Sequence, residues 1–314
     1  MSPVNQPVSH TSITTKAYVA LALVCFFWGT TYLASKEAVR HMPALQMAGI
    51  RQLLGGSLYL IYFMSKGRIL PRGAEWKTVL FLSFLNFFLS NTLSSWGLKY
   101  ISAGLGSIIS AIFPLWLVII GYTRSEKIPA RSILGIILGF GGVCVIFSEH
   151  LLDFLNPDFS FGILVSLAGT ISWALGTTYT KEHSSSFNPY FSLGLQMLIS
   201  GSSLLIVSKS TGNFLSFPEI PWQSWLSLAY LVVFGSVISF IAYLYALQHL
   251  PIEQASIYAY INPIVAVLLG AFFFDEKLSL LIVAGGVVTL WGVYLVNQDF
   301  MKKSANGKKE NAGA

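Results

Sequence analysis

Residues 17–35 read AYVALALVCFFWGTTYLAS, an unbroken apolar stretch that carries no formal charge. A helix needs about 20 such residues to cross the hydrocarbon core of a bilayer, so this stretch is long enough to span a membrane. Comparable stretches follow at 45–64, 78–97, 102–122, 132–147, 161–180, 190–208, 224–247, 254–274 and 279–297. Their continuity predicts helices, because the strands of a transmembrane barrel alternate apolar and polar residues. The sequence therefore predicts an all-α integral membrane protein with ten transmembrane helices.

The composition agrees with a membrane protein and excludes several other classes. Only 10% of the 314 residues are charged and 54% are hydrophobic, whereas soluble domains average about 25% charged residues. The basic residues lie at the ends of the apolar runs, so we expect topology signals and no nucleic-acid partner. Cys25 and Cys144 lie inside apolar runs, which favours neither a disulfide framework nor a metal site. We expect no cofactor.

The distribution of lysine and arginine predicts the orientation. If the N-terminus is inside, the inner segments, such as 65–77 and 299–314, hold most of the basic residues. Positive residues favour the cytoplasmic side, so both termini are predicted to be cytoplasmic in a bacterial inner membrane. The predicted segments are a cytoplasmic N-terminus at 1–16, a first repeat at 17–147, an outer linker at 148–160, a second repeat at 161–298 and a cytoplasmic basic tail at 299–314.

The two halves of the chain are similar to each other. A shift of 145 places Trp28 on Trp173, and a shift of 149 places Pro114 on Pro263. The motif Gly-Thr-Thr-Tyr recurs at a shift of 147, so part of this similarity is chance. Because each half has five predicted spans, the second half enters the membrane from the opposite side. The sequence thus predicts two inverted five-helix repeats, a design of secondary transporters whose binding site lies between the repeats near the midplane.

A set of motif residues connects the chain to a known family. They are Trp28-Gly29, Lys36, Pro43, Arg51, Pro114, Glu126, Gln196, Asn262-Pro263 and Glu276. With this pattern, residues 17–298 resemble the drug/metabolite transporter superfamily, EamA type, as two EamA repeats. The resemblance implies a permease that works by alternating access. Its expected cargo is a small metabolite, such as an amino acid or related amphipathic compound, and the expected direction is export.

Polar and aromatic residues inside the spans are the candidates for a substrate cavity. The predicted substrate-binding residues are Trp28, Arg51, Asn91, Ser110, Trp173, Gln196, Tyr243, Tyr258 and Asn262. Pro114 and Pro263 are predicted hinges, since proline removes a helix hydrogen bond, although each could be a simple packing kink. Serine and threonine could instead bond to their own helix.

Arg51 is the formal charge that lies clearly inside a span. It lies roughly 12 Å beyond Pro43 by helix rise, so its side chain either extends to the membrane surface or reaches the cavity. In the second case it would contact an acidic group of the substrate. Asn86 and Asn91 are about 140° apart around a helix, so we expect only one of them to face a cavity.

An integral membrane enzyme that acts on a lipid or a peptide is the alternative function. The chain has no H-E-x-x-H motif, and its histidines and acidic residues avoid the middle of the spans. We therefore expect a transporter and not an enzyme. The missing acidic residues also favour facilitated diffusion or exchange over proton coupling. Small-residue spacings such as Gly135-x-x-x-Gly139 predict close helix packing, either internal or in a homodimer.

Overall fold

The computed structural model describes residues 10–123, 130–148, 153–183, 188–250 and 258–312. Within these residues the chain is helical and has no β-strand, which confirms the all-α prediction. The helices are α1 (His10–His41), α2 (Ala44–Ser65), α3 (Glu75–Gly97), α4 (Ala103–Ala111), α5 (Phe113–Thr123), α6 (Ala130–Ser148), α7 (Pro157–His183), α8 (Pro189–Ser210), α9 (Trp222–His249), α10 (Tyr258–Phe274) and α11 (Leu280–Ala312).

Several of these helices are long and apolar enough to cross a membrane. In the described part of the chain there are six such stretches: Thr15–His41, Glu75–Gly97, Ala103–Gly121, Pro157–Thr180, Pro189–Ser210 and Trp222–His249. Shorter apolar helices lie at Ala130–Ile146, Ile261–Phe274 and Leu280–Leu295. Helix α2 carries Gln46, Arg51 and Gln52, all buried inside the protein. Such polar residues lower the hydropathy of a span and must find partners within the bundle.

The predicted run 102–122 is a single stretch in the sequence but two helices in the structure. The break lies at Ile112, between α4 and α5, and Pro114 is the second residue of α5. Proline has no backbone N–H and is tolerated in the first turn of a helix. Pro263 instead lies inside α10. The first residues of the predicted run 254–274 lie outside the described ranges, and so does Glu126 of the family pattern.

Helices α3 and α9 each contain a π-helical segment, a feature that the periodicity does not predict. The segments are Ser83–Asn91 in α3 and Leu231–Ile238 in α9. The residue after each segment has a hydroxyl that donates to the carbonyl five residues earlier: Thr92 Oγ1 to Phe87 O at 3.2 Å, and Ser239 Oγ to Phe234 O at 2.5 Å. The π turn widens the helix and redirects its carbonyls.

Glycines allow two helix pairs to pack closely. In the pair of α6 with α11, a Cβ added at Gly142 would lie 2.5 Å from the carbonyl oxygen of Gly285. In the pair of α2 with α8, a Cβ at Gly56 would lie 2.7 Å from the carbonyl oxygen of Gly194. These contacts are backbone against backbone, so no larger residue fits without moving a helix. The predicted small-residue spacing at Gly135 and Gly139 lies in the first of these contacts.

The remaining helices surround the centre of the protein. Helix α1 packs against α9 and α10, while α7 packs against α3, α4 and α5. Helix α4 also packs against α10. The pairs α2–α8 and α6–α11 lie around this group. As a result, residues from both halves of the chain face one central space.

Candidate functional site

A cavity of about 160 Å³ lies between the central helices. Its wall combines aromatic rings, hydroxyls, amides and one guanidinium, which suits a small molecule with both polar and apolar parts. Most of the predicted substrate-binding residues line it, as does the predicted hinge Pro263. These lining residues are Trp28, Arg51, Asn91, Ser110, Trp173, Tyr258 and Asn262.

Three predicted residues lie outside this lining. The side chain of Gln196 is directed along its own helix, where Nε2 donates to Ser192 Oγ at 3.0 Å. Tyr243 lies one layer behind the cavity, with its ring 5.0 Å from that of Trp28. Pro114 follows Phe113, which does line the cavity. Gln196 thus lies outside the lining, with its amide partly satisfied by a neighbour on its own helix.

Arg51 reaches the cavity and does not extend to the membrane surface. Only 6% of the residue is exposed. Its Nε donates to Ser236 Oγ at 3.0 Å, and its Nη1 donates to Asn91 Oδ1 at 3.3 Å. Both partners are neutral, so they orient the guanidinium without cancelling its charge.

The π-helical segment of α9 shapes this part of the wall. A Cβ at Gly235 would lie 2.9 Å from Arg51 Nη2, so the absence of a side chain at Gly235 leaves room for the guanidinium. The carbonyl of Gly235 accepts a hydrogen bond from Trp28 Nε1 at 3.3 Å. A single residue of α9 therefore contacts both a charged and an aromatic residue of the cavity. Sequence reasoning missed Gly235, because a lone glycine in an apolar run has no distinctive signal.

Side chains from α2 satisfy the carbonyls that the π turns redirect. Gln52 Nε2 donates to Phe87 O in α3 at 3.0 Å, and Tyr59 OH donates to Val237 O in α9 at 3.1 Å. Unsatisfied backbone groups are costly at membrane depth. These hydrogen bonds thus stabilise the two π segments and keep α2 in place between them.

Trp28 is the centre of an aromatic group at one end of the cavity. Its ring lies 5.1 Å from Phe240 and 5.1 Å from Tyr258, both with edge-to-face geometry. Tyr258 in turn lies 5.4 Å from Tyr243. Asn91 lines the cavity, whereas Asn86 lies against Gly176 of α7, in agreement with the expectation that only one of the two faces it.

Amide and hydroxyl groups complete the wall. In the orientation that satisfies both amide atoms, Asn262 Nδ2 donates to Cys25 O at 2.8 Å and to Tyr258 O at 3.1 Å. Ser110 Oγ donates to Gly106 O at 3.0 Å in its own helix, the local bond that the sequence left open as an alternative. Ser94, Ser95 and Thr170 also line the cavity, although none was among the predicted site residues.

A second polar group lies where α4 begins. Glu276 accepts from the backbone N–H of Ala103 at 2.7 Å and of Gly104 at 3.1 Å, so the carboxylate caps this helix. Lys36 Nζ donates to the carbonyl of Ile101, directly before the helix. Both Lys36 and Glu276 belong to the family pattern, and the structure places them around one helix end.

These features define the class of the protein. It is an all-helical, multi-pass membrane protein with a mixed polar and aromatic cavity between its helices, as in small-molecule transporters. The sequence pattern of the EamA-like transporter family matches residues 15–148 and 160–298. The chain therefore belongs to the EamA-like transporter family, and its general function is membrane transport.

Individual relatives agree with this assignment. The chain is 29% identical to the uncharacterized transporter YvbV of Bacillus subtilis over 95% of its own length and 97% of that protein. It is 30% identical to the uncharacterized inner membrane transporter YedA of Escherichia coli K12, over 83% of each chain. A crystal structure matches the fold with a TM-score of 0.64 at 15% identity, over 92% of this chain and 98% of the other. The names of both relatives indicate a transporter.

Proposed function

We propose that the protein exports a small metabolite, such as an amino acid or a related amphipathic compound, across the bacterial inner membrane. The observation that carries this proposal is the cavity, to which both halves of the chain contribute polar and aromatic residues. The cavity residues named above are the proposed substrate-binding residues. The Escherichia coli relative is named as an inner membrane transporter, which supports the inner membrane as the location.

The proposed architecture is ten transmembrane helices in two inverted five-helix repeats. The packing supports it, because the contacts of α1 with the second half have counterparts in the contacts of α7 with the first half. Helix α1 packs on α9, as α7 packs on α3. Helix α1 also packs on α10, as α7 packs on α4 and α5. The pairs α2–α8 and α6–α11 join equivalent helices of the two halves, which is what a two-fold relationship produces.

In the proposed mechanism the two repeats rock against each other and expose the cavity to alternate sides of the membrane. The break before Pro114 and the proline inside α10 are the proposed hinges. Arg51 is the charged residue among those lining the cavity, and none of the described lining residues is an Asp, Glu or His. Proton-coupled transporters hold such groups within the membrane. We therefore propose facilitated diffusion or substrate exchange, with the cargo gradient setting the direction.

Transport by purified protein in liposomes tests this function. Proteoliposomes and protein-free liposomes are incubated with a bacterial metabolite extract, and the entry of each compound is measured by mass spectrometry. We expect a small set of metabolites to enter the proteoliposomes, at a rate that an imposed pH gradient leaves unchanged. Equal entry into both preparations would exclude transport. Uphill accumulation that an uncoupler abolishes would instead show proton coupling.

Cysteine labelling tests the proposed topology. In a variant without Cys25 and Cys144, an impermeant thiol reagent is applied to intact cells. We expect Asn156→Cys and Asn213→Cys to react, because positive-inside orientation places these positions outside. Ser186→Cys and Lys303→Cys are expected to be protected until the cells are opened. Reaction of Ser186→Cys in intact cells would contradict the orientation.

A further inference from the structure

Arg51 places an uncancelled positive charge in the wall of the cavity. Among the described residues, no carboxylate lies within ion-pair distance of this guanidinium. The ion pair found there joins Arg40 to Glu37. A buried charge without a counter-charge is costly to maintain. Such a charge is compensated when an anion binds beside it, so the wall at Arg51 favours anionic groups.

The guanidinium also has hydrogen-bonding capacity left. Arginine has five N–H donors. Nε donates to Ser236 and Nη1 donates to Asn91, while Nη2 makes no hydrogen bond to any described residue. Nη2 lies beside Gly235, whose missing side chain leaves room for the guanidinium, and Arg51 lines the cavity. The two neutral partners therefore hold the guanidinium and leave donors for a bound molecule.

We propose that Arg51 binds an acidic group of the cargo, so that the transported compounds carry a carboxylate or a comparable acid. This inference rests on the proposed function and adds the chemical class of the substrate. Carboxylates fit the planar guanidinium fork, and such charge-assisted bonds are stronger than neutral ones. Trp28 contacts the same residue of α9 as Arg51, so the apolar part of the cargo lies against the Trp28 and Tyr258 rings. Compounds whose sole charge is positive are repelled.

The test compares entry of compounds that share one apolar skeleton but differ in charge. The bacterial extract is supplemented with 4-methylpentanoate, leucine, 3-methylbutylamine and 4-methylpentan-1-ol. Entry into protein-free liposomes is subtracted for every compound, because the alcohol and the uncharged amine cross a bilayer without protein. We expect the protein-dependent entry of extract compounds to be limited to those with an acid group, and the protein-dependent entry of the two carboxylate supplements to exceed that of the amine or the alcohol. Arg51→Gln should lower entry of the acids about 10- to 100-fold, the range that corresponds to hydrogen bonds to a charged group.

Control variants separate this effect from misfolding. Arg68→Gln removes an arginine in an exposed loop and should transport as the unmodified protein does. Gly235→Ala keeps the charge but would place a Cβ 2.9 Å from Arg51 Nη2, so it should also reduce entry of the acids. All variants are compared as monodisperse protein by size-exclusion chromatography.

The outcomes distinguish the inference from the proposed function. Protein-dependent entry of the amine, the alcohol or an acid-free extract compound as fast as that of the acids would overturn the inference and leave transport intact. Unchanged entry of the acids in Arg51→Gln would do the same. If no compound enters through the unmodified protein, the proposed function fails and the inference falls with it.

Discussion

Replacing Gly142 by alanine is expected to destabilise the protein, whereas the same change at the adjacent Gly141 is expected to be harmless. A Cβ at position 142 would lie 2.5 Å from both Gly285 O and Thr289 N of α11, and neither backbone atom can move without moving the helix. A Cβ at Gly141 meets nothing within 4 Å. Overpacking costs about 1–3 kcal/mol. We expect Gly142→Ala to lower the Tm in detergent by about 2–10 °C.

The second helix of the pair offers the same comparison. Gly285→Ala would place a Cβ 2.6 Å from Gly142 O, while a Cβ at the neighbouring Gly286 meets nothing within 4 Å. Gly141→Ala and Gly286→Ala should keep or slightly raise the Tm, because alanine favours helices by up to about 1 kcal/mol over glycine. Equal Tm values for all four variants would show that α6 and α11 are not in backbone contact.

The existence of the helices was predictable, but their partners were not. Long continuous apolar runs in a bilayer are expected to be helices, since a helix satisfies its backbone groups within one segment. The Gly135 and Gly139 spacing indicated close packing on α6 but did not reveal whether the partner was α11 or a second subunit. That choice depends on the three-dimensional match between two surfaces, and the sequence spacing contains no such information.

Part of the cavity lining was predictable, because polar side chains are costly in hydrocarbon. Arg51, Asn91 and Asn262 could be identified because such side chains must face other protein groups or a cavity. The same rule also selected Gln196, since it does not distinguish a cavity from a local hydrogen bond. Gly235 was not predictable, because its role arises from a π turn that no periodicity in the apolar run indicates.

Replacing Trp28 by alanine is expected to reduce transport strongly. The indole lines the cavity, donates to the carbonyl of Gly235 at 3.3 Å and contacts the rings of Phe240, Tyr243 and Tyr258. Large aromatic contacts in a binding site contribute about 2 kcal/mol or more to binding. Trp28→Ala should therefore reduce entry of the cargo about 30-fold or more. Trp28→Phe keeps a ring but loses the N–H, so we expect a reduction of about 2- to 10-fold.

Trp96 provides the matched control for this prediction. It is a partly buried tryptophan of α3 that packs 5.1 Å from the Phe161 ring and is not among the residues that line the cavity. Trp96→Ala removes the same side chain, so it should lower the Tm while the protein that remains folded transports normally. The Trp28 variants are expected to lose transport even where their Tm matches that of Trp96→Ala. If transport falls equally in both alanine variants, the loss at Trp28 reflects packing alone, and the aromatic group does not bind the cargo.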